Sequence, residues 1–120
     1  MRSYSTLLID DEKLARERLK KLLAGFESTF QIVGEAKNGN EAVSLINELK
    51  PDVIFLDIEM PGQNGFQLLS KLLELPIVIF CTAYEEYALK AFDTNSIDYL
   101  VKPVKLDRLE QTVRKILSQQ

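Results

Sequence analysis

The chain has 120 residues, 46% of them hydrophobic, with 18 Asp and Glu against 15 Lys and Arg, one Cys and neither His nor Trp. That length fills one domain core and leaves little room for a second fold. A net charge of −3 argues against nucleic-acid binding as the segment's own task, because neutralising phosphates needs a basic face, and the lack of histidine excludes histidine metal sites and histidine general bases. Cys81, alone in the apolar run Ile77 to Thr82, has no disulfide partner and reads as a packing residue in a reducing compartment. No long apolar run follows the start Met1-Arg2-Ser3-Tyr4, and no stretch approaches the ~20 residues that span a bilayer. A cytoplasmic protein without membrane contact is expected.

Five short apolar runs recur along the chain: Thr6 to Ile9, Gln31 to Ala36, Val53 to Leu56, Ile77 to Cys81 and Ile97 to Val101. Their near-continuous aliphatic content suits strands covered on both faces, as in a parallel sheet. After the first run, Ala15, Leu19, Leu22, Leu23 and Phe26 fall at helical spacing, with Lys13, Arg16, Glu17, Arg18, Lys20 and Lys21 turned outward and Gly25 as the stop. After the second, Asn38-Gly39-Asn40 supplies a turn and an N-cap, and Ala42, Leu45, Ile46 and Leu49 carry a helix to Pro51. Asn64 caps a third helix bearing Leu68, Leu69, Leu72 and Leu73 before Pro76. Ala88, Ala91 and Phe92 give a short fourth with a thin apolar stripe, and Leu106, Leu109, Val113, Ile116 and Leu117 give the last. No boundary, repeat or low-complexity tract interrupts the pattern, so residues 1–120 read as one domain.

Alternating strands and helices specify a doubly wound α/β fold: an open five-stranded parallel sheet with five helices. Residues just after the strands then gather at one sheet edge, where ligands bind in such folds. They are Asp10-Asp11, Asp57, Thr82-Ala83 and Lys102-Pro103. Singly, each has an ordinary structural explanation as a helix cap, turn residue, strand end or solvated charge. Together they do not, because carboxylates held close repel one another. A hard divalent cation resolves the conflict: Mg²⁺ takes oxygen ligands, commonly one or two carboxylates plus phosphate oxygens. A lysine beside it supplies a second positive charge for phosphoryl transfer, and a carboxylate can act as the nucleophile. Asp57 ends the central strand and precedes the tight segment Ile58-Glu59-Met60-Pro61-Gly62, which makes it the candidate nucleophile, with Asp10 and Asp11 holding the metal.

These residues carry a resemblance. Leu8-Ile9-Asp10-Asp11, Asp57-Ile58-Glu59-Met60-Pro61 with Gly65, Thr82-Ala83, and Tyr99 three residues before Lys102-Pro103 match, in order, the receiver domain of two-component response regulators, and the match spans the whole chain. The resemblance implies the flavodoxin-like strand order 2-1-3-4-5, Asp57 as the phosphoacceptor, and a sensor histidine kinase's phosphohistidine as the donor. It implies Mg²⁺ on Asp11, Asp57 and the backbone carbonyl of Glu59, with Asp10 supporting through water. Thr82 and Lys102 would contact the phosphoryl oxygens, the backbone N–H groups of Glu59 and Ala83 would complete the cradle, and the Lys102–Pro103 bond would be cis.

On the switch the resemblance implies, Thr82 would close onto the phosphoryl group and Tyr99 would turn inward, reshaping the face of helix 4, strand 5 and helix 5. Lys90, Asp93, Asp98, Arg108 and Lys115 on that face have the mixed charge that suits either a self-complementary dimer contact or an ordinary solvated surface. Glu59 and Tyr84 would flank the path of the hydrolytic water, while Met60 and Phe66 are structural. Tyr84 to Phe92, followed by Ile97 to Val104, looks most like receivers that precede a LytTR-type DNA-binding domain. DNA would then be reached only through an effector outside this chain.

Two rival functions fit the architecture less well. A metal-dependent phosphohydrolase passing through an aspartyl-phosphate would want an acid/base Asp two residues beyond the nucleophile, where Glu59 stands, and a substrate cap. A flavodoxin-like or dinucleotide-binding module would need a Gly- or hydroxyl-rich loop after strand 1, and Asp10-Asp11-Glu12 would repel its ligand phosphate.

Overall fold

The structure, a computed structural model, describes residues 3–119; the expectation placed on the Met1-Arg2 start lies outside the described residues. Strands β1 (Tyr4–Ile9), β2 (Phe30–Ala36), β3 (Val53–Leu56), β4 (Ile77–Thr82) and β5 (Asp98–Val101) alternate with helices α1 (Lys13–Leu23), α2 (Gly39–Leu49), α3 (Gly65–Ser70), α4 (Ala88–Phe92) and α5 (Leu106–Leu117). The strands pair in parallel in the order β2-β1-β3-β4-β5, the flavodoxin-like order that the resemblance implies.

Strand periodicity divides the core into two layers. Leu7, Ile9, Ile54, Leu56, Val78 and Phe80 face Ala42 and Ile46 of α2, Leu68 and Leu69 of α3, and Ala91 of α4. Leu8, Val53, Phe55, Ile79, Cys81 and Leu100 face Leu19 and Leu23 of α1 and Leu109, Val113 and Ile116 of α5. The central strand β3 is buried at every position, as a strand covered on both faces must be. Cys81 packs here as expected, with its thiol pushed up to about 12 by burial. No helix among the described residues is long and apolar enough to cross a membrane.

The caps explain where the helices begin. Asn38 accepts the Glu41 N–H at 2.8 Å. Asn64 and Gln67 form a reciprocal capping box at 2.9 and 2.8 Å.

Several local expectations are corrected. Gly25 does not stop α1: the helix ends at Leu23, and Gly25 lies within a 3-10 turn over Ala24–Phe26. Helix α3 ends at Ser70, so Leu73 is wholly exposed rather than packed. Helix α4 is preceded by a 3-10 turn at Glu85–Tyr87 and buries only Ala91, leaving Phe92 exposed. The thin stripe is thus thinner than the sequence suggested. Arg16 and Asp98, read as outward charges, both turn inward.

Candidate functional site

The sheet register assembles the site. Ile9 pairs with Leu56, Leu56 with Phe80, and Thr82 with Val101, so the residues following these strands emerge side by side at one edge. The ladder continues past the strand ends: Asp10 N–H bonds Ala36 C=O at 3.0 Å, Asp57 N–H bonds Ile9 C=O at 3.0 Å, and Lys102 N–H bonds Thr82 C=O at 2.8 Å. Both key aspartates and the lysine therefore project from backbone fixed by sheet hydrogen bonds, which gives their side chains precise origins.

Asp10, Asp11 and Asp57 each bring a carboxylate oxygen within 4.8 Å of the others. Asp10 and Asp57 are buried and Asp11 is exposed. Lys102 Nζ donates to Asp10 Oδ2 at 2.7 Å and to Asp57 Oδ2 at 3.2 Å. The other Asp57 oxygen, Oδ1, is buried and has no hydrogen-bond partner.

An orphaned carboxylate oxygen inside an anionic cluster is costly unless a cation meets it. All the donors are hard oxygens, which suits Mg²⁺ and not a soft metal. Burial is the main reason the Asp57 carboxyl is pushed up, Lys102 opposing it and Asp10 adding to it. Burial likewise opposes charge on Lys102, but the hydrogen bond to Asp10 and the field of Asp57 win and hold its ammonium above the ordinary range.

The remaining candidates surround this cluster. Thr82 is fully buried at the end of β4, and its Oγ1 accepts the Tyr84 N–H at 3.4 Å; Ala83 follows in an exposed bend. Glu59 lies in the loop after β3, and its side chain accepts the Tyr87 hydroxyl, which ties that loop to the 3-10 turn before α4. A phosphohydrolase would need an acid/base carboxylate at this position; here it is engaged by a phenol. Tyr99, half-buried with its ring 6.0 Å from Phe80, donates its hydroxyl to the Tyr84 carbonyl. The Lys102–Pro103 peptide is cis.

Asp98 is not part of the exposed face on which the sequence placed it. It is buried, and its carboxylate accepts from Arg108 at 2.6 and 2.9 Å, Thr112 at 2.6 Å, Lys115 at 2.9 Å and the Tyr99 N–H at 2.8 Å. Arg108 and Lys115 are therefore tethered to their own domain. Arg16 is also bound, to the Asp10 carbonyl at 2.5 Å and to Glu35 at 2.9 Å. A signal for both existed. Arg16, Leu19 and Leu23 share the buried stripe of α1, and Asp98 shares the inward register of Leu100.

Comparison with known proteins agrees with this geometry. Residues 6–114 match the response regulator receiver domain family. An uncharacterized response regulatory protein of Vibrio cholerae is 51% identical over 117 residues, 96% of this chain and 49% of that protein. The positive alginate biosynthesis regulatory protein of Pseudomonas aeruginosa is 46% identical over 114 residues, 92% of this chain and 46% of that protein. The chain thus spans about half the length of the curated relatives it matches. The structure of the REC domain of AraT, a response regulator from Geobacillus stearothermophilus, superposes with a TM-score of 0.86 at 32% identity, covering 98% of this chain and 95% of that one. With its acidic edge, lysine and strand order in place, the chain belongs to the response regulator receiver domain family.

Proposed function

We propose that this chain is a phosphorylation-controlled switch in which Asp57 accepts a phosphoryl group from the phosphohistidine of a sensor histidine kinase. The observation that supports this reading is the buried Asp57 carboxylate, with Oδ1 unpartnered, Oδ2 3.2 Å from Lys102, and Asp10 and Asp11 alongside. Asp11, Asp57 and the Glu59 carbonyl would hold Mg²⁺, with Asp10 supporting through water. When bound, the ion neutralises charge on the transferring group. An Asp57 oxygen attacks phosphorus; the new P–O bond forms as the P–N bond to the kinase imidazole breaks, and that nitrogen leaves with the bonding electrons. Lys102 turns from Asp10 toward the incoming oxygens, and the Glu59 and Ala83 N–H groups complete the cradle. The domain catalyses only its own phosphorylation and dephosphorylation.

The phosphoryl group brings about two negative charges. Thr82 would close onto it, releasing Tyr99 from the Tyr84 carbonyl to turn inward. Helix α4, which buries only Ala91, is the element packed loosely enough to follow. With Asp98 internal, the responding face consists of exposed Leu89 and Phe92, Val101 and Leu106, flanked by Lys90 and Asp93. A homodimer formed on phosphorylation would bury these apolar groups. An effector, LytTR-type and DNA-binding by resemblance, would read the change, and the protein would act in the cytoplasm.

Intact mass after incubation with acetyl phosphate and Mg²⁺ tests the reading. Wild type should gain one phosphoryl group and Asp57→Asn none. Gain by both proteins, or by neither, overturns it.

A further inference from the structure

A second charged cluster abuts the acidic edge from the α1 side. Arg16 Nη1 lies 2.5 Å from the Asp10 carbonyl oxygen and its Nε lies 2.9 Å from Glu35 Oε1, while Lys20 Nζ holds the other Glu35 oxygen at 2.7 Å. The Arg16 side chain is only 12% exposed, well below what a solvated helix charge would show. Desolvating a guanidinium is costly unless its partners are well placed, so the arrangement calls for more than a chance surface contact.

The effect of the clamp falls on Asp10. Its N–H is fixed by Ala36 at 3.0 Å, Oδ1 by the Glu12 N–H at 2.9 Å, Oδ2 by Lys102 at 2.7 Å, and its carbonyl by Arg16. The Asp10 carbonyl belongs to the Asp10–Asp11 peptide plane, so holding it sets the direction in which Asp11 leaves the strand. Glu35 neighbours Ala36 on β2, the residue that receives the Asp10 N–H, so the same strand holds both ends of the brace. We infer that Arg16, oriented by Glu35, is a positioning residue that holds the Asp10–Asp11 peptide so that both acids present their oxygens to a divalent cation. This inference rests on the metal site of the preceding subsection. It concerns a side chain that would touch neither metal nor phosphoryl group.

The sign of the effect separates position from charge. Deleting a nearby positive charge by itself strengthens cation binding, so weaker Mg²⁺ binding on loss of Arg16 can only come from lost positioning. Calorimetric titration of the metal-free chain with MgCl₂ at fixed ionic strength reads this directly, with urea unfolding as the check on folding. Outer-shell partners of metal sites typically control affinity by about 10-fold or more. Arg16→Met should raise the Mg²⁺ Kd about 10-fold, and Glu35→Gln should raise it by a smaller factor. Arg16→Lys keeps the charge but lacks the fork that reaches both partners, so it should also weaken binding. Lys20→Met, which leaves the Arg16 contacts in place, should bind as tightly as wild type or more so. Binding by Arg16→Lys at the wild-type Kd overturns the inference, even where Arg16→Met fails to fold; so does unchanged or tighter binding by a folded Arg16→Met. If wild type itself binds no Mg²⁺, the metal-site reading fails instead, and that result is distinguishable from the others.

Discussion

Lys102 stands closer to Asp10 than to Asp57: its Nζ is 2.7 Å from Asp10 Oδ2 and 3.2 Å from Asp57 Oδ2. The ammonium is thus the shared counterion of two buried acids, biased toward Asp10 and away from Asp57, the proposed nucleophile. Lys102→Ala should slow phosphorylation by acetyl phosphate about 10²-fold, the scale on which losing one transition-state donor acts. It should also push the Asp57 carboxyl higher still, because burial and Asp10 already raise it and Lys102 is a main opposing influence. Quench-flow rates and carboxyl ¹³C titration measure the two effects. A wild-type rate would exclude Lys102 from the transfer step.

Removing magnesium should expose the cost of the acidic edge. A ligand at 100 times its Kd stabilises by about 2.7 kcal/mol, so urea midpoints of wild type should rise steeply with Mg²⁺. Asp57→Asn removes a buried charge that has an unpartnered oxygen and sits beside Asp10. In EDTA at pH 7 it should match or exceed wild type by about 1 kcal/mol, and its response to Mg²⁺ should shrink. The folded Asp57 pKa is raised, so metal-free wild type gains stability as pH falls through that pKa, and the variant lacks this gain. A variant that is less stable in EDTA yet fully responsive to Mg²⁺ would contradict the proposed ligand set.

Asp98 has the opposite linkage. Burial alone would raise its pKa, but hydrogen bonds from Arg108, Thr112, Lys115 and the Tyr99 N–H hold the carboxyl well below the usual range. A group depressed in the folded state contributes stability that is complete above its unfolded pKa of ~3.9 and is lost as pH falls through the folded value. Asp98→Asn should therefore cost about 3 kcal/mol at pH 7 and show a shallower loss below pH 4. The lower end of the usual range applies because Arg108 and Lys115 can regain water, their side chains being 36% and 48% exposed. Urea titrations of both proteins from pH 2.5 to 7 give the two slopes, and parallel curves would count against a charged, buried Asp98.

The parts legible in sequence are those governed by short-range patterning. Continuous aliphatic runs marked every strand, Asn38 and Asn64 marked two helix starts through their own side-chain chemistry, and topology then carried Asp10, Asp57, Thr82 and Lys102 to one edge. What escaped was decided across the sheet. Leu73 lies beyond the end of a helix that closes at Ser70, so correct spacing gave it nothing to pack on. Arg16 and Asp98 looked like solvent-facing charges because their partners, Glu35 and Arg108, lie on other elements. Tyr87 reaches Glu59 only because the 3-10 turn before α4 leans over the loop after β3. Burial periodicity carried a trace of the first two, and none of the third.

Gly65 tests how tightly the loop after β3 is built. It opens α3, donates its N–H to the Ile58 carbonyl at 2.8 Å, and would place an added Cβ 2.7 Å from the Asp57 carbonyl oxygen and 3.2 Å from the Ile58 Cα. Both neighbours are backbone, so a methyl group there must move the Asp57–Ile58 backbone itself. Gly65→Ala should cost about 1–3 kcal/mol, as overpacking does, and should weaken Mg²⁺ binding along with it. Gly25→Ala is the control: nothing lies within 4 Å of its added Cβ and its φ is not positive, so the change should be neutral or stabilise by up to about 1 kcal/mol. Equal urea midpoints for the two variants would mean that the loop yields to a methyl group, and with it the rigid placement of Asp57 that the proposed transfer requires.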